Sequence, residues 1–217
     1  MNLLQVALDF LRLEDALPVV EHVRDHVDHV EIGTPLVKAE GLQGIRVLST
    51  LAHLGKRKSV ADLKVLDTGF LEAEMAFQAG ADYVTVAGGA PIETILGALE
   101  AKVKYDKGII VDLIGVDPVR KAEEFKQKGI DSTIDFLEIH RGIDQAGTFG
   151  FDRFLEQLRA LRDRISTRLA VAGSLNEVTV PKVTPYADLI VVGGAITKAT
   201  QPGDAACRIR RALEGRD

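Results

Sequence analysis

The chain of 217 residues is poor in several residue types that mark special classes of protein. It has one cysteine, Cys207, no tryptophan, and only 5% aromatic residues. A single cysteine excludes an internal disulfide, and Cys207 lies in a helical pattern, where an inert thiol is more common than a nucleophile. Because the formal net charge is −5 and no basic stripe carries interleaved aromatics, we expect no nucleic-acid partner.

Long apolar runs are also missing. No stretch approaches the ~20 residues that span a bilayer, so we expect no membrane partner. Residues 1–9 lack a basic segment and predict a strand rather than a signal peptide, so we expect a cytoplasmic location. The hydrophobic content of 46% and the charged content of 27% are typical of a globular protein.

What the chain has is a regular alternation of short aliphatic runs and longer segments of helical periodicity. The runs predict eight strands, at 4–8, 27–32, 59–63, 83–86, 109–113, 136–140, 169–172 and 189–192. The segments between and after them predict eight helices, at 13–27, 42–54, 70–79, 92–105, 118–128, 151–161, 175–183 and 204–213. Continuous aliphatic strands indicate a parallel sheet covered by helices. Eight repeats without a linker predict an α/β fold, a (β/α)8 TIM barrel forming a single domain over residues 1–217.

Polar residues stand where the predicted strands end, and catalytic groups of such barrels lie at these ends. They are, in chain order, Asp9, Glu31, Asp62, Lys64, Asp67, Asp112, Glu138 and His140. Taken singly, each has a structural explanation: Asp9 and Asp67 can cap helices, Glu31 can pair with Lys64, and His140 can be a core residue. Burying all of these charged groups at one rim would cost free energy of desolvation that a purely structural role does not justify. The set as a whole therefore favours a functional site.

Two local patterns at this rim indicate a chemistry. Asp62 and Lys64 are two residues apart, so both side chains lie on the face of the strand that points into the barrel mouth. A carboxylate beside an ammonium can hold a metal and neutralise an oxyanion, and Glu31 on the neighbouring strand can give Mg²⁺ a second carboxylate. Strands 7 and 8 run into Gly173-Ser174 and Gly193-Gly194, where the small residues let backbone N–H groups approach a phosphate.

The segment ADLKVLDTG at 61–69 resembles the D-x-K-x-x-D signature of the orotidine monophosphate decarboxylase superfamily. Further motifs are VALD at 6–9, EIGTPL at 31–36, AGADYVTV at 79–86, VDLIG at 111–115, H-x-G-x-D-Q at 140–145 and VGGAIT at 192–197. Together they resemble the 3-hexulose-6-phosphate synthases of that superfamily, over essentially the whole chain.

The resemblance implies an aldehyde-lyase that condenses formaldehyde with ribulose 5-phosphate to arabino-hex-3-ulose 6-phosphate. It implies Mg²⁺ held by Glu31 and Asp62, an enediolate stabilised by the metal and Lys64, and His140 as general base. Asp112 would orient His140 or relay a proton, and Asp67 would hold Lys64 in position. The substrate-binding residues would be Asp9, Asp62, Gly173, Ser174, Gly193 and Gly194. The residue at the position of Asp67 reaches across a dimer interface in the superfamily, which implies a homodimer with shared active sites.

The related 3-keto-L-gulonate 6-phosphate decarboxylase is a second candidate. That enzyme has arginines three residues after its histidine and just after the last strand's glycine, where this chain has Ile143 and Gly194. It also has a glutamate at the position of Asp112. All three differences favour the synthase, while Ser174 in place of a glycine and Arg141 in place of a small residue depart from the synthase pattern, and the role of Arg141 is open.

Two candidates come from different functional classes. A ribulose-phosphate 3-epimerase needs further histidines for a different metal, and we expect His22, His26, His29 and His53 to be surface residues in or beside helices. A non-catalytic barrel that binds sugar phosphates needs the glycines, but it does not need a lysine between two acids.

Overall fold

The computed structural model describes residues 2–145 and 150–216. Eight parallel strands close into a barrel in chain order, with β8 paired to β1. The strands are β1 Leu3–Leu8, β2 His29–Ile32, β3 Lys58–Val65, β4 Tyr83–Ala87, β5 Gly108–Asp112, β6 Phe136–His140, β7 Arg168–Ala172 and β8 Leu189–Val192. The predicted (β/α)8 barrel is therefore confirmed.

Nine α-helices lie in the described part of the chain, one more than predicted. They are α1 Leu13–Val23, α2 Thr34–Leu54, α3 Gly69–Gln78, α4 Ile92–Tyr105, α5 Pro118–Gln127, α6 Phe151–Arg162, α7 Val180–Val183, α8 Gly194–Thr197 and α9 Pro202–Glu214. The additional element, α8, is a single turn directly after β8. No helix among the described residues is both long and apolar enough to cross a bilayer.

Helix α1 ends at Val23 rather than at 27, and two other helices begin far from their predicted starts for local reasons. Helix α2 begins at Thr34, not at 42, because Gly41, with φ +60°, kinks it and separates a first segment from the part with clear periodicity. Helix α7 begins only at Val180, because the side chain of Asn176 accepts hydrogen bonds from the amides of Val178 and Thr179. An asparagine turn of this kind competes with helical hydrogen bonding.

Two apolar layers hold the barrel together. Aliphatic residues on the outer face of the strands pack against the helices. The interior of the barrel is filled by a separate cluster of Ala7, Val60, Ile110, Phe136, Ala170, Ala172, Leu189 and Val191. Since side chains alternate between faces along a strand, this cluster shows which residues of each strand point inward.

The prediction that His29 is a surface residue was wrong. His29 is the first residue of β2, is 4% exposed, and stacks on Tyr83 with ring centroids 5.3 Å apart. Its Nδ1 lies 3.3 Å from Oε1 of Gln5. Burial lowers the pKa of His29 to about 4, so the ring is a neutral part of the barrel interior. His22 and His53 are exposed, and Nε2 of His53 lies 2.7 Å from a carboxylate oxygen of Asp82.

Candidate active site

The polar residues at the strand ends continue the inward-facing rows of the barrel. Val60 on β3 is followed at steps of two by Asp62 and Lys64, and Ile110 on β5 is followed by Asp112. On β6 the same step from Phe136 reaches Glu138 and His140, which completes the row on that strand. The alternation of strand side chains therefore brings these groups together above the apolar cluster, at the mouth of the barrel.

Lys64 lies at the centre of this group. Its Nζ is 2.8 and 2.7 Å from the two carboxylate oxygens of Asp62 and 3.0 Å from Oδ2 of Asp112. Burial favours the neutral amine, but the charges of Asp62 and Asp112 outweigh it and hold the pKa of Lys64 above its ordinary value. The side chain is therefore a fixed cation, suited to stabilising an anion rather than to accepting a proton.

The backbone of β3 is irregular at this lysine. Lys64 has φ +48°, a conformation that non-glycine residues seldom adopt, and the register between β3 and β4 shifts between Ala61 and Val65. The amide of Lys64 donates to the hydroxyl of Thr85, 2.9 Å away, instead of to a strand neighbour. A strained backbone persists only where the surrounding structure compensates for its cost, and residues of this kind are concentrated at functional sites.

Two threonines orient Asp62. The hydroxyl of Thr85 donates to Oδ1 at 2.7 Å, and the hydroxyl of Thr34 donates to Oδ2 at 2.5 Å. With Lys64 they fix both carboxylate oxygens. Neither threonine was a predicted site residue, because threonine in a strand or at the start of a helix has many ordinary roles.

His140 is held on one side by two acids. Its Nδ1 is 3.0 Å from Oδ2 of Asp112 and 3.5 Å from Oε1 of Glu138. The hydrogen bond of His140 and the charge of Lys64 outweigh burial and lower the pKa of Asp112 to about 2. Asp112 is therefore ionised and orients the imidazole through Nδ1, which leaves Nε2 as the ring nitrogen for substrate.

Glu138 is an acid that the sequence places at the end of its strand without indicating a role. It is 3% exposed, and burial followed by the charge of Asp112 raises its pKa well above the ordinary value. Asp112, Glu138 and His140 offer three ligand atoms within 4.8 Å of one another. The sequence signal that points to Glu138 as a site residue is its spacing of two from His140, since residues two apart on a strand share a face.

Glu31 is a buried acid on the neighbouring strand β2. Its Oε2 accepts a hydrogen bond of 2.8 Å from Nε2 of Gln5. Burial, and next the charge of Asp62, raise the pKa of Glu31 to about 8. The charge of Asp62 therefore acts on Glu31, the other carboxylate predicted as a metal ligand.

Asp67 lies apart from this cluster within its own chain. Its side chain is exposed, and its Oδ1 accepts a hydrogen bond from the amide of Thr68 at 2.8 Å. The expectation that Asp67 holds Lys64 in position is not met within one chain, since Asp62 and Asp112 hold that lysine. Asp67 is followed by Thr68, which has φ +49° and caps the start of α3.

Asp9 stands at the rim, beside Gly33 and Gly193. A Cβ on Gly33 would lie 2.2 Å from Oδ1 of Asp9, so only glycine leaves room for this carboxylate. Partial loss of water around the exposed Asp9 side chain, and then the charge of Asp62, raise the pKa of Asp9. The carboxylate of Asp9 thus lies between the ends of β2 and β8.

The two predicted phosphate loops lie at adjacent strand ends. Gly173 has φ +113° and Ser174 has φ +53°, and a Cβ on Gly173 would lie 2.2 Å from the carbonyl oxygen of Arg141. Gly193 follows β8, and Gly194 begins α8. The small residues thus allow the β7 loop to pack on the β6 loop and leave backbone amides accessible at the rim.

Arg141, whose role the sequence left open, is buried beside the β7 loop. Its guanidinium lies over the rings of Phe151 and Phe154, 5.7 and 5.9 Å from their centroids. These contacts attach the end of β6 to the start of α6, which gives Arg141 a structural role at the site.

Comparisons with known proteins agree over nearly the full chain. Residues 2–209 match the Orotidine 5'-phosphate decarboxylase / HUMPS family. A 3-hexulose-6-phosphate synthase from Mycobacterium gastri is 42% identical over 212 residues, which cover 97% of this chain and 99% of the relative. The crystal structure of 3-hexulose-6-phosphate synthase from Salmonella typhimurium is 33% identical, with a TM-score of 0.88, and covers 99% of this chain and 100% of that chain. The crystal structure of 3-keto-L-gulonate-6-phosphate decarboxylase from Vibrio cholerae is 28% identical, with a TM-score of 0.83 and coverage of 99% and 98%.

Proposed function

The chain belongs to the orotidine 5'-phosphate decarboxylase / HUMPS family, and from this premise we propose that it is a 3-hexulose-6-phosphate synthase. It would condense formaldehyde with ribulose 5-phosphate to give arabino-hex-3-ulose 6-phosphate. The observation that carries the proposal is Lys64, fixed as a cation between Asp62 and Asp112 at the mouth of a barrel that matches synthases over its length. We also propose a cytoplasmic location, because a charged sugar phosphate is retained inside the cell.

The proposed reaction begins with proton removal. Nε2 of His140 takes a proton from C1 of ribulose 5-phosphate, while Asp112 stabilises the resulting imidazolium through Nδ1. The electron pair of the broken C1–H bond moves into an enediolate, whose negative charge faces the ammonium of Lys64. C1 then attacks the carbon of formaldehyde, the C2 carbonyl re-forms, and the new alkoxide takes the proton back from His140. No atom is lost, so the product is the sum of the two substrates.

We propose Mg²⁺ as the cofactor and Glu31 with Asp62 as its protein ligands. Both residues offer the carboxylate oxygens that Mg²⁺ prefers. Burial, and next the charge of Asp62, raise the pKa of Glu31 to about 8, a cost of ionisation that a divalent cation would offset. Asp112, Glu138 and His140 fit the ion less well, since one of their three ligand atoms is an imidazole nitrogen and Mg²⁺ prefers oxygen ligands. When bound, the ion supplies positive charge that offsets the charge developing on the substrate oxygens.

The proposal is tested by formaldehyde consumption. Purified protein with Mg²⁺ should consume formaldehyde when ribulose 5-phosphate is present and not when it is omitted. Consumption should stop on addition of EDTA and return with excess Mg²⁺. Failure to consume formaldehyde, together with CO₂ release from 3-keto-L-gulonate 6-phosphate, would reject the synthase in favour of the decarboxylase, which shares the fold.

We further propose a homodimer formed through α3 and α4. Leu71 and Met75, four residues apart on α3, are 53% and 39% exposed, and Leu66 just before α3 is 61% exposed. Leu96 on the neighbouring helix α4 is 46% exposed. Exposed apolar side chains grouped on neighbouring elements are typical of an interaction site, and a twofold dimer would cover them with the same surface of a second copy. Asp67, beside Leu66, would then lie at the interface.

Mixing two inactive variants tests whether the active site is shared. Lys64→Ala and Asp67→Ala should each abolish most turnover. Heterodimers formed by unfolding and refolding them together should regain activity, because one of the two sites would combine Lys64 of one chain with Asp67 of the other. No regain, despite heterodimers detected by mass, would place Asp67 outside the neighbour's site. Leu71→Glu should give a monomer, whereas Leu54→Glu, an exposed leucine at the end of α2, should not.

A further inference from the structure

The side chain of Lys198 lies over the first residue of α8. Its amide donates to the carbonyl of Gly194 at 3.1 Å, so the two residues are one helical turn apart. A helical side chain leans over the turn that precedes it, which directs Lys198 towards Gly194. Its Cδ and Cε lie 3.6 and 3.7 Å from the position that a Cβ of Gly194 would occupy. These are ordinary van der Waals distances, so the lysine stem lies along the start of α8.

The ammonium of Lys198 is placed beside the loop predicted to bind phosphate. Gly193 has Asp9 on its other side, with Oδ2 of Asp9 3.5 Å from where a Cβ of Gly193 would lie. Loss of water around Asp9, and next the charge of Asp62, raise the pKa of Asp9, and the charge of Lys198 is the smallest of the effects that lower it. The stem of Lys198 lies against Gly194 and the carboxylate of Asp9 lies against Gly193, so both charged side chains border the loop after β8.

A phosphorylated substrate brings a strong negative charge to a mouth whose lysine is already engaged by acids. The inward-facing acids are Asp9, Glu31, Asp62, Asp112 and Glu138. Lys64, the cation among them, is engaged by two of these acids. Lys198 is exposed, and no acid of the described residues lies within ion-pair distance of its Nζ. It can therefore pair with an incoming anion without first losing a partner.

We propose that Lys198 binds the phosphate group of the substrate, completing with its charge the site formed by the backbone at Gly173, Ser174, Gly193 and Gly194. This inference rests on the proposed function, because it assigns a residue to the phosphate end of the same sugar. Since the phosphate does not change during the reaction, its contact with Lys198 is equally strong in the ground state and in the transition state. Lys198 therefore contributes to KM and hardly to kcat.

The experiment compares Lys198→Gln with wild type on ribulose 5-phosphate and on unphosphorylated ribulose. We expect the KM for ribulose 5-phosphate to rise about tenfold, a range typical of one charge-assisted hydrogen bond, with kcat within about twofold. The turnover of ribulose should not change. Inorganic phosphate should inhibit the variant about tenfold more weakly than the wild type. Lys198→Arg keeps the charge and should recover most of the affinity.

Lys56→Gln is the matched control, because it removes one exposed lysine at the opposite end of the barrel, in the turn before β3. It should change none of these values. An unchanged KM and phosphate inhibition in Lys198→Gln, or an equal loss with ribulose, would overturn the assignment. Calorimetric titration with inorganic phosphate distinguishes failure of the Lys198 assignment from failure of the proposed function, because it needs no turnover. Weaker phosphate binding by Lys198→Gln than by the wild type supports the assignment even if formaldehyde is not consumed.

Discussion

Replacing Lys64 with alanine is expected to lower kcat by about 10²–10³-fold, the usual effect of removing one preorganised group that stabilises a developing anion. Lys64 is held by three contacts of 2.7 to 3.0 Å to Asp62 and Asp112, so its charge is in place before substrate arrives. The variant should still fold, because Thr34 and Thr85 continue to bind Asp62. Steady-state kinetics and circular dichroism measure the two expectations separately.

Lys58→Ala is the matched control for this variant. Lys58 is the first residue of the same strand, and its Nζ lies 3.3 Å from a carboxylate oxygen of Asp82. It also pairs with an aspartate, but at the opposite end of β3, so its loss should leave kcat unchanged. Turnover of Lys64→Ala within tenfold of the control would show that the cation between Asp62 and Asp112 serves structure and not the reaction.

Replacing Glu31 with glutamine is expected to stabilise the metal-free protein at alkaline pH. The pKa of Glu31 is about 8 in the folded chain against an ordinary value of 4.5, so the unfolded chain ionises first as the pH rises. The stability of the wild type therefore falls between pH 4.5 and about pH 8, while glutamine stays neutral and avoids this loss. By pH 8 the difference should reach a few kcal/mol, which raises Tm by roughly 5 °C or more in a domain of this size.

Thermal unfolding in EDTA across pH 5 to 8.5 tests this expectation, with Glu21→Gln on the exposed side of α1 as the control. Adding Mg²⁺ should raise the Tm of the wild type and of the control but not that of Glu31→Gln, which has lost a ligand. Parallel pH curves for the wild type and Glu31→Gln would contradict the burial of an ionisable carboxyl. A Tm increase with Mg²⁺ in Glu31→Gln would assign the metal to other residues.

The fold could be predicted because its signals are local. Continuous aliphatic strands separated by amphipathic helices specify a covered parallel sheet, and eight such units without a linker specify a closed barrel. The shifted starts of α2 and α7 have their reasons in single residues, a kink at Gly41 and a turn capped by Asn176, whose conformations are not fixed by hydrophobic periodicity. The extra turn α8 is too short to show a period.

The site could be predicted in part, because strand alternation is also local. Because Asp62 and Lys64 are two residues apart, the sequence indicated that both side chains lie on the same face of β3. The glycines after β7 and β8 indicated the two loops predicted to bind phosphate. The E-x-H spacing indicated that Glu138 and His140 share a face, but not the raised pKa of Glu138, which depends on burial and on the charge of Asp112 from the neighbouring strand. The sequence also misplaced His29, because a histidine beside Gln5 and Tyr83 inside a barrel has the same local sequence features as an exposed one.

By itself, the sequence determined the barrel, the inward row of each strand and the family, because these depend on spacing along the chain. Only the tertiary structure decided which rows meet: Lys64 on β3 spans to Asp112 on β5, and Lys198 folds back over Gly194. It also showed that the exposed side chain of Asp67 accepts a hydrogen bond from the amide of Thr68, while Asp62 and Asp112 hold the lysine. The physical reason is that closure of the barrel fixes distances between residues far apart in sequence, and a pattern of local spacing holds no information about those distances.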